Sequence, residues 1–333
     1  MSRRATSIIG LVLVASGVPA LGIEGRIPIF TQTTITDSGS YIVTQDISVA
    51  AGDGITITAG EVTLDLNGHT LSLPAGVGNG VFIGSGNDSF RITNGRIIGG
   101  DIGVRTDIAG VGALVVEDLE VATSSYGLYL WAQSVTVSRS TFLGNQVLVR
   151  GPSAASPVTA RMVGNVFVGE DYTSLYLQYC QDSEIGGNRI MESGFRGILL
   201  ANCPGSRIHD NLISYATVGT LDGVAIGVSS HGNQISDNVI HRFDIGIRAD
   251  SSGNRISGNV IQQSGSAEGL YRGGIVIYGS RNLIEGNQIE GGASCGVSFQ
   301  SGSANAYRGN MLRGNSLGGI CGLSNTDAGG NIF

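Results

Sequence analysis

The sequence predicts an all-β protein in which short parallel strands wind into a solenoid, a parallel β-helix with an asparagine ladder and an N-terminal cap. Three observations predict this fold. A six-residue motif with asparagine in its fourth position recurs along the chain, and a strand-like piece of the form Gly–aliphatic–x–aliphatic accompanies most copies. No segment beyond the N-terminus has a helical period. The number of copies predicts about 12 coils.

The asparagine motif sets the length of one coil. It reads "MVGNVF", "IGGNRI", "IHDNLI", "ISDNVI", "ISGNVI", "IEGNQI", "YRGNML" and "AGGNIF" from Met162 onward, with looser copies "ITNGRI", "VEDLEV" and "VSRSTF" upstream. Successive copies are 21 to 28 residues apart. A unit of this length holds three short strands, and coils stack at about 4.8 Å. We expect the asparagine to adopt the left-handed backbone of a tight corner and its amide to bond along the stack.

The N-terminus is predicted to be a signal peptide at residues 1–22. Arg3 and Arg4 precede the short apolar run from Ile8 to Val18, and Ala20 or Gly22 provides a small-residue cleavage point. This run is too short to span a bilayer. Residues 23–53 are expected to form the cap and first strands, and residues 54–333 the β-helix repeats. The protein should therefore be secreted or periplasmic, with no membrane span.

Composition limits the classes of partner. The 333 residues include 54 glycines and only 14 % charged residues, with a net charge of −7. All 19 basic residues are arginine. A net negative charge, without a cluster of basic residues along the sequence, argues against a nucleic-acid partner.

The repeats resemble those of the right-handed parallel β-helix proteins of the pectin-lyase-like superfamily. They are most similar to the NosD-like branch and to repeats shared by carbohydrate-binding proteins and sugar hydrolases. The N-terminal "ITDSGSYIVTQDI" and "GITITAGEVTLDLNGHTLS" are also similar to the opening of such proteins. The resemblance covers residues 30–333 and implies a right-handed helix. It further implies that the asparagine corner lies between the second and third strands, and that the outer side of the first strand often forms a substrate groove.

On this arrangement, outward positions of four neighbouring first strands form a candidate substrate-binding cluster. Aromatic rings stack on the apolar faces of sugars, and arginine takes carboxylates. Ordinary outer-face strand residues, or aromatics packed under a loop, are the alternative explanation. The cluster includes the single tryptophan and consists of Arg105, Asp107, Tyr129, Trp131, Arg150, Tyr176 and Gln178.

Catalytic candidates lie beside this cluster. Glu170 and Asp171 in "VGEDYTS" are the nearest carboxylates for a general base, and Arg105 or Arg150 would neutralise a uronate. Asp107 is a further candidate. Solvated loop acids are the commoner explanation of such carboxylates. The catalytic residues therefore stay unassigned at this point.

A second patch contains the segment "DIGIRAD", a near copy of "DIGVRTD" at residues 101–107. The two copies are six coils apart, about 29 Å, so they cannot share one site. Within each copy the outward arginine and aspartate can pair with each other. Oxygen ligands for Ca²⁺ are available here, although no tight carboxylate spacing demands the ion. The patch comprises Asp222, Asp244, Arg248, Asp250, Arg272 and Tyr278.

The cysteines and histidines predict no metal centre. Cys180 and Cys203 fall at the same place in successive coils, so either a disulfide or a free stacked pair is expected, whereas Cys295 and Cys321 are out of register and are not paired. The four histidines lack metal-ligand spacing. The NosD resemblance implies a copper role, but no His, Met and Cys cluster supports it. No cofactor is expected.

Three functional hypotheses follow. The first is an exported protein that binds an acidic polysaccharide, with processing by lyase, hydrolase or epimerase chemistry left open. The second is a non-catalytic structural module that self-associates through the open C-terminal coil ending at "GGNIF". The third is a NosD-like periplasmic accessory protein. The sequence lacks the Asp-Pro-His-Asp motif of a resembling epimerase, the aspartate sets of polygalacturonases and the calcium-site acids of pectate lyases.

Overall fold

A computed structural model describes residues 25–84, 86–107, 110–123, 125–170, 172–215, 223–262, 273–292, 294–323 and 325–333. The regular elements of these ranges are β-strands, and neighbouring coils pair in parallel. No helix in these ranges is long and apolar enough to cross a membrane. The predicted signal peptide at residues 1–22 lies outside the described residues. The architecture is the predicted parallel β-helix.

The strands form three faces, named in the order in which a coil visits them. The first face contains Thr33–Ile35, Ile55–Ile57, Gln146–Arg150, Thr173–Gln178, Arg196–Ala201, Val224–Val228, Ile245–Ala249, Gly273–Ile277, Cys295–Phe299 and Gly318–Gly322. The second face contains Ile27–Ile29, Gly39–Val43, Val62–Asp65, Thr159–Val163, Glu184–Gly186, Arg207–His209, Gln234–Ser236, Arg255–Ser257, Leu283–Glu285, Ala306–Arg308 and Thr326–Asp327.

The third face closes each coil. It contains Ile47–Ser48, Thr141–Leu143, Val166–Val168, Arg189–Ser193, Leu212–Tyr215, Val239–His241, Val260–Gln262, Gln288–Glu290 and Met311–Arg313. Four longer strands bend around corners and serve more than one face: Thr70–Ile83, Gly86–Thr106, Val111–Ala122 and Tyr126–Ser138.

The segment expected to form the N-terminal cap already winds as a coil. Thr33 pairs with Ile55 on the first face, Tyr41 with Leu64 on the second and Ile47 with Leu71 on the third. The stack therefore begins within residues 25–53.

The asparagine corner lies between the second and third faces, as the resemblance implies, but the predicted backbone is wrong. The left-handed residue is the one before the asparagine, for example Asp237 with φ 58° or Gly258 with φ 68°. Asn238 itself is fully buried and accepts through Oδ1 only from the preceding coil. Its Nδ2 donates to Asn259 Oδ1 at 2.9 Å and to a backbone carbonyl of the preceding coil at 3.0 Å. The ladder thus satisfies buried backbone groups, and glycine or aspartate makes the bend.

A second asparagine ladder, absent from the sequence prediction, lies between the first and second faces. The backbone N–H of Asn233 donates to Asn254 Oδ1 at 2.9 Å, and that of Asn254 to Asn282 Oδ1 at 2.8 Å. Asn282 continues the ladder to Asn305. Each member precedes a residue of the main ladder by five positions, so the pattern Asn-x4-Asn in the sequence was the missed signal.

The interior is filled by stacked aliphatic side chains. Ile208, Ile235 and Ile256 on the second face and their counterparts on the third face are fully buried. The repeated glycine of the first face makes room for them. A Cβ at Gly246 would lie 2.6 Å from the carbonyl oxygen of Gly274 in the next coil and 2.7 Å from Ile261. A residue with a side chain at this position would push two coils apart.

Candidate functional site

The structure brings the sequence-predicted cluster together on the outer side of the first face. In one outward column Arg105 is paired with Tyr129, Tyr129 with Leu148, and Leu148 with Tyr176. In a second column, two residues further along each strand, Trp131 is paired with Arg150 and Arg150 with Gln178. Asp107 directly follows the strand that carries Arg105. We call Arg105, Tyr129, Trp131, Arg150, Tyr176 and Gln178 the binding strip.

Arg150 lies against aromatic rings from both neighbouring coils. Its Cζ is 4.4 Å from the centroid of the Trp131 ring and 5.0 Å from that of Tyr179. The Nε of Arg150 and the Nε1 of Trp131 are buried and have no hydrogen-bond partner among the described residues. A guanidinium held between two rings favours a ligand that supplies carboxylate oxygens to its outer N–H groups. Sequence analysis missed Tyr179 because it follows the strand and so breaks the alternation.

Arg105 and Arg248 occupy equivalent positions but have different surroundings. Arg248 donates through Nε to Asp250 at 2.7 Å. Arg105 lies 5.9 Å from the Phe82 ring centroid, and its buried Nε has no acceptor among the described residues. The two near copies of the heptapeptide are therefore not equivalent. The 101–107 copy contains an arginine that forms no ion pair within the described ranges.

Aromatic residues also line the edge where the strands of the first face begin, here called the N-terminal edge. Tyr126 and Tyr129 pack edge to face with centroids 5.0 Å apart. Tyr172 stacks on Phe195 at 5.6 Å, and Arg196 lies over the same Phe195 ring at 4.8 Å. Tyr172 is 59 % exposed. Phe195 and Arg196 were missed because they precede the repeated glycine, where the coils differ most in sequence.

Of the two predicted general bases, Glu170 is described and Asp171 lies outside the described residues. Glu170 is buried at the N-terminal edge, and its Oε1 accepts from the backbone N–H of Tyr172 at 3.2 Å. Burial raises the pKa of Tyr126, and the negative charges of nearby acids, Glu170 among them, act in the same direction. The Tyr126 phenol is thus held neutral beside this carboxylate. The catalytic role of Glu170 stays a prediction.

The second patch is only partly described, because Asp222 and Arg272 lie outside the described residues. Asp244 Oδ2 accepts from the backbone N–H of Gly223 at 3.3 Å. Arg248 lies over the Tyr278 ring at 4.9 Å and binds Asp250. The described part is a paired arginine on an aromatic ring.

The structure contains two disulfides. Cys180 and Cys203 are bonded with their Cα atoms 4.4 Å apart. Cys295 and Cys321 are also bonded, with a Cα separation of 6.0 Å, and the expectation that they stay unpaired is wrong. They are out of register, since Cys321 pairs with Ser298, but adjacent coils are close enough for a diagonal bridge.

Comparison with known proteins gives two family matches. Residues 51–224 match the family described as periplasmic copper-binding protein (NosD), and residues 220–333 match the right handed beta helix region family. No curated protein matches the chain. Together the two matches cover the chain from residue 51 to its last residue and agree with a right-handed helix.

Solved structures are similar at low sequence identity. The A-module of the mannuronan C-5 epimerase AlgE6 from Azotobacter vinelandii is 13 % identical, with 89 % of this chain and 90 % of that chain covered and a TM-score of 0.44. The catalytic unit of an α-1,3-glucanase from Streptomyces thermodiastaticus is 16 % identical, with 90 % and 62 % covered and a TM-score of 0.40. The tailspike of the E. coli bacteriophage HK620 is 14 % identical, with 88 % and 57 % covered and a TM-score of 0.39. The family assignment rests on the family models.

Proposed function

The chain belongs to the family described as periplasmic copper-binding protein (NosD), and we propose that it is an exported protein that binds an acidic polysaccharide along the outer side of its first face. The observation that supports this function best is the arrangement of Trp131 and Arg150. A guanidinium held against two rings, without an ion pair in the part of the chain that the structure describes, suits a carboxylate. Tyr129 and Tyr176 beside it offer rings for sugar stacking.

The donors of the described residues do not fit copper. Protein copper sites use imidazole, thiolate and thioether ligands. All four cysteines are in disulfides, and no group of three or more His, Cys, Asp or Glu side chains is placed to hold a metal ion in the described ranges. His209 lies 2.8 Å from Asp210 and 3.4 Å from Glu184, and His69 lies 3.3 Å from Asp46. No step of the proposed function is assigned to a metal.

Export is supported by the disulfides as well as by the sequence of the N-terminus. Two disulfides persist in oxidising compartments such as the periplasm and the cell exterior. An exported protein meets the acidic polysaccharides of the cell surface and its surroundings. The proposed location and the proposed ligand are thus compatible.

Binding is tested by titrating uronic-acid oligosaccharides into the protein by isothermal calorimetry, with a neutral oligosaccharide of equal length in parallel. We expect the uronate to bind and the neutral sugar to bind weakly or not at all. Trp131→Ala and Arg150→Gln should each weaken uronate binding about tenfold, since each removes a stacking or charged contact.

Arg207→Gln is the matched control, because it removes the same charge from the exposed surface of the second face. It should leave the affinity unchanged. Uronate binding that is equally strong in wild type and in folded Trp131→Ala and Arg150→Gln variants would show that the strip is not the site. Absence of uronate binding by the wild type would refute the function itself.

A further inference from the structure

A hollow interrupts the outer side of the first face at Gly227. In the outward column, Leu199 is paired with Gly227 and Gly227 with Arg248, so a residue without a side chain lies between two long ones. The cavity has a volume of about 120 Å³ and is lined by Arg196, Leu199, Val224, Arg248 and Asp250, among others. A Cβ on Gly227 would lie 3.3 Å from Leu199 Cδ1. The missing side chain therefore creates the space.

The side chains that line the hollow carry a net positive charge. Two guanidiniums, those of Arg196 and Arg248, face the single carboxylate of Asp250. Asp250 binds Arg248 at 2.7 Å. The guanidinium of Arg196 forms no ion pair with the described residues, and its Cζ lies over the Phe195 ring, 4.8 Å from the centroid. A guanidinium fixed on a ring keeps its N–H edge available for a carboxylate.

Aromatic rings flank the hollow along the direction of the helix axis. On one side, the Tyr172–Phe195 stack lies at the N-terminal edge of the first face. On the other side, Tyr278 lies beyond Arg248. Tyr172 is 59 % exposed, so part of its ring is open to a sugar. An arginine over an aromatic ring, here Arg196 on Phe195, also occurs in the binding strip, where Arg150 lies over Trp131.

The hollow and the binding strip lie on one continuous face. Pairing leads from the strand of Arg150 through those of Tyr176 and Leu199 to Gly227, which is three coils and about 14 Å. An extended oligosaccharide laid along the axis can reach both places. Because the ladders fix the coils, the distance between them is set by the fold.

We propose that the Gly227 hollow is a second carboxylate subsite of the same groove, in which Arg196 binds an acidic sugar further along a chain already held at Trp131 and Arg150. This inference rests on the proposed function and adds a requirement on ligand length. Short uronates occupy the binding strip alone. Longer uronates also occupy the hollow and bind more tightly.

The test measures affinity for uronate oligomers from disaccharide to octasaccharide. Two variants address the hollow: Gly227→Leu, which fills it, and Arg196→Gln, which removes the unpaired charge. Gly227 has no left-handed backbone, so a side chain is conformationally allowed there. We expect each variant to bind the disaccharide like wild type and the octasaccharide about tenfold more weakly.

Ser236→Leu is the matched control, since it adds the same side chain outside the second face. Circular dichroism and thermal unfolding establish that each variant is folded. If Gly227→Leu and Arg196→Gln bind the octasaccharide like wild type while Trp131→Ala binds it weakly, the second subsite is wrong and the proposed function stands. If wild type binds no uronate of any length, the proposed function fails, and with it the subsite.

Discussion

At the scale of single residues, the surroundings of an arginine decide what it does. Arg248 and Arg105 occupy the same position in near-identical segments, yet Arg248 is bound to Asp250 and Arg105 has no ion-pair partner in the part of the chain that the structure describes. Other arginines of the chain stabilise the fold through ion pairs between coils. Arg255 and Arg308 converge on Glu285, whose side chain is only 12 % exposed.

Glu285 should make the stability of the protein depend on pH. Its hydrogen bond to Arg308, reinforced by Arg255, holds the pKa of the carboxyl below its usual value. The stabilisation is therefore fully present above the unfolded pKa of about 4.3 and is lost as the pH falls through the lower folded pKa. Glu285→Gln should lower the free energy of unfolding by about 1 kcal/mol at neutral pH. The difference from wild type should vanish in acid, as measured by urea unfolding across pH.

Glu192→Gln serves as the control, because Glu192 is exposed and forms no ion pair with the described residues. Its stability should follow that of wild type at every pH. A difference for Glu285→Gln that persists unchanged below pH 3 would contradict the assignment to the ion pair.

The sequence predicted several residue-scale features and misplaced others. The eight asparagines were identified because they recur at one fixed place in the repeat, where each buried amide satisfies backbone groups of the neighbouring coil. The left-handed backbone was assigned to them in error, since Gly and Asp one position earlier also adopt it readily. Tyr179 and Arg196 of the candidate site could not be found, because their approach to Arg150 and Phe195 depends on turns outside the repeat.

At the scale of elements, the ladders rather than the strands fix the register of the coils. Most second-face and third-face strands have three residues, too few to define their own pairing. Each buried amide instead bonds to the backbone N–H of the coil before it and fixes the position of both. One coil departs from the first-face motif: the segment "GVAI" begins with Gly223, yet Ala225 occupies the place of the repeated glycine, since Val224 pairs with Arg196. The sequence motif favours glycine there, and only the pairing shows that alanine replaces it.

Removing one amide from the middle of the main ladder should destabilise the protein. Asn259→Ala leaves the buried backbone N–H of Asn238 and the carbonyl of Ile235 without their partners. We expect a loss of about 2–3 kcal/mol in the free energy of unfolding, measured by urea denaturation. Asn331→Ala, at the less buried last rung, should cost clearly less. Equal losses of unfolding free energy at the two positions would mean that the burial of an asparagine does not determine how much it stabilises the protein.

At the scale of the whole molecule, each coil contacts only its neighbours, so stability varies along the axis. The strand Val224–Val228 is buried at every position, whereas Gly318–Gly322 is partly exposed throughout. Leu323, Ile332 and Phe333 near the last strand are about half exposed or more. Self-association through this coil stays a prediction. The Cys295–Cys321 disulfide ties the last first-face strand to the coil before it.

Amide hydrogen exchange should reveal this gradient and the role of the disulfide. We expect Gly318–Gly322 to exchange faster than Val224–Val228 in wild type, because local opening is easier where fewer groups are buried. Cys321→Ser should accelerate exchange in Gly318–Gly322 further and leave Thr173–Gln178 unchanged. If Cys321→Ser accelerated amide exchange equally in all coils, the conclusion that stability varies along the axis would be wrong.

The constancy of the ladders has a consequence for how such a protein diversifies. Ile247 comes seven positions after Ile240, whereas Ile275 comes fourteen positions after Ile261, although both pairs link the third face to the first. The number of residues between the paired asparagines, four, does not vary in this part of the chain. Insertions are therefore accepted beside the N-terminal edge of the first face, where Glu170 and Tyr172 lie, and excluded from the core. We expect that exchanging these segments changes the ligand preference of the proposed groove while the solenoid stays intact.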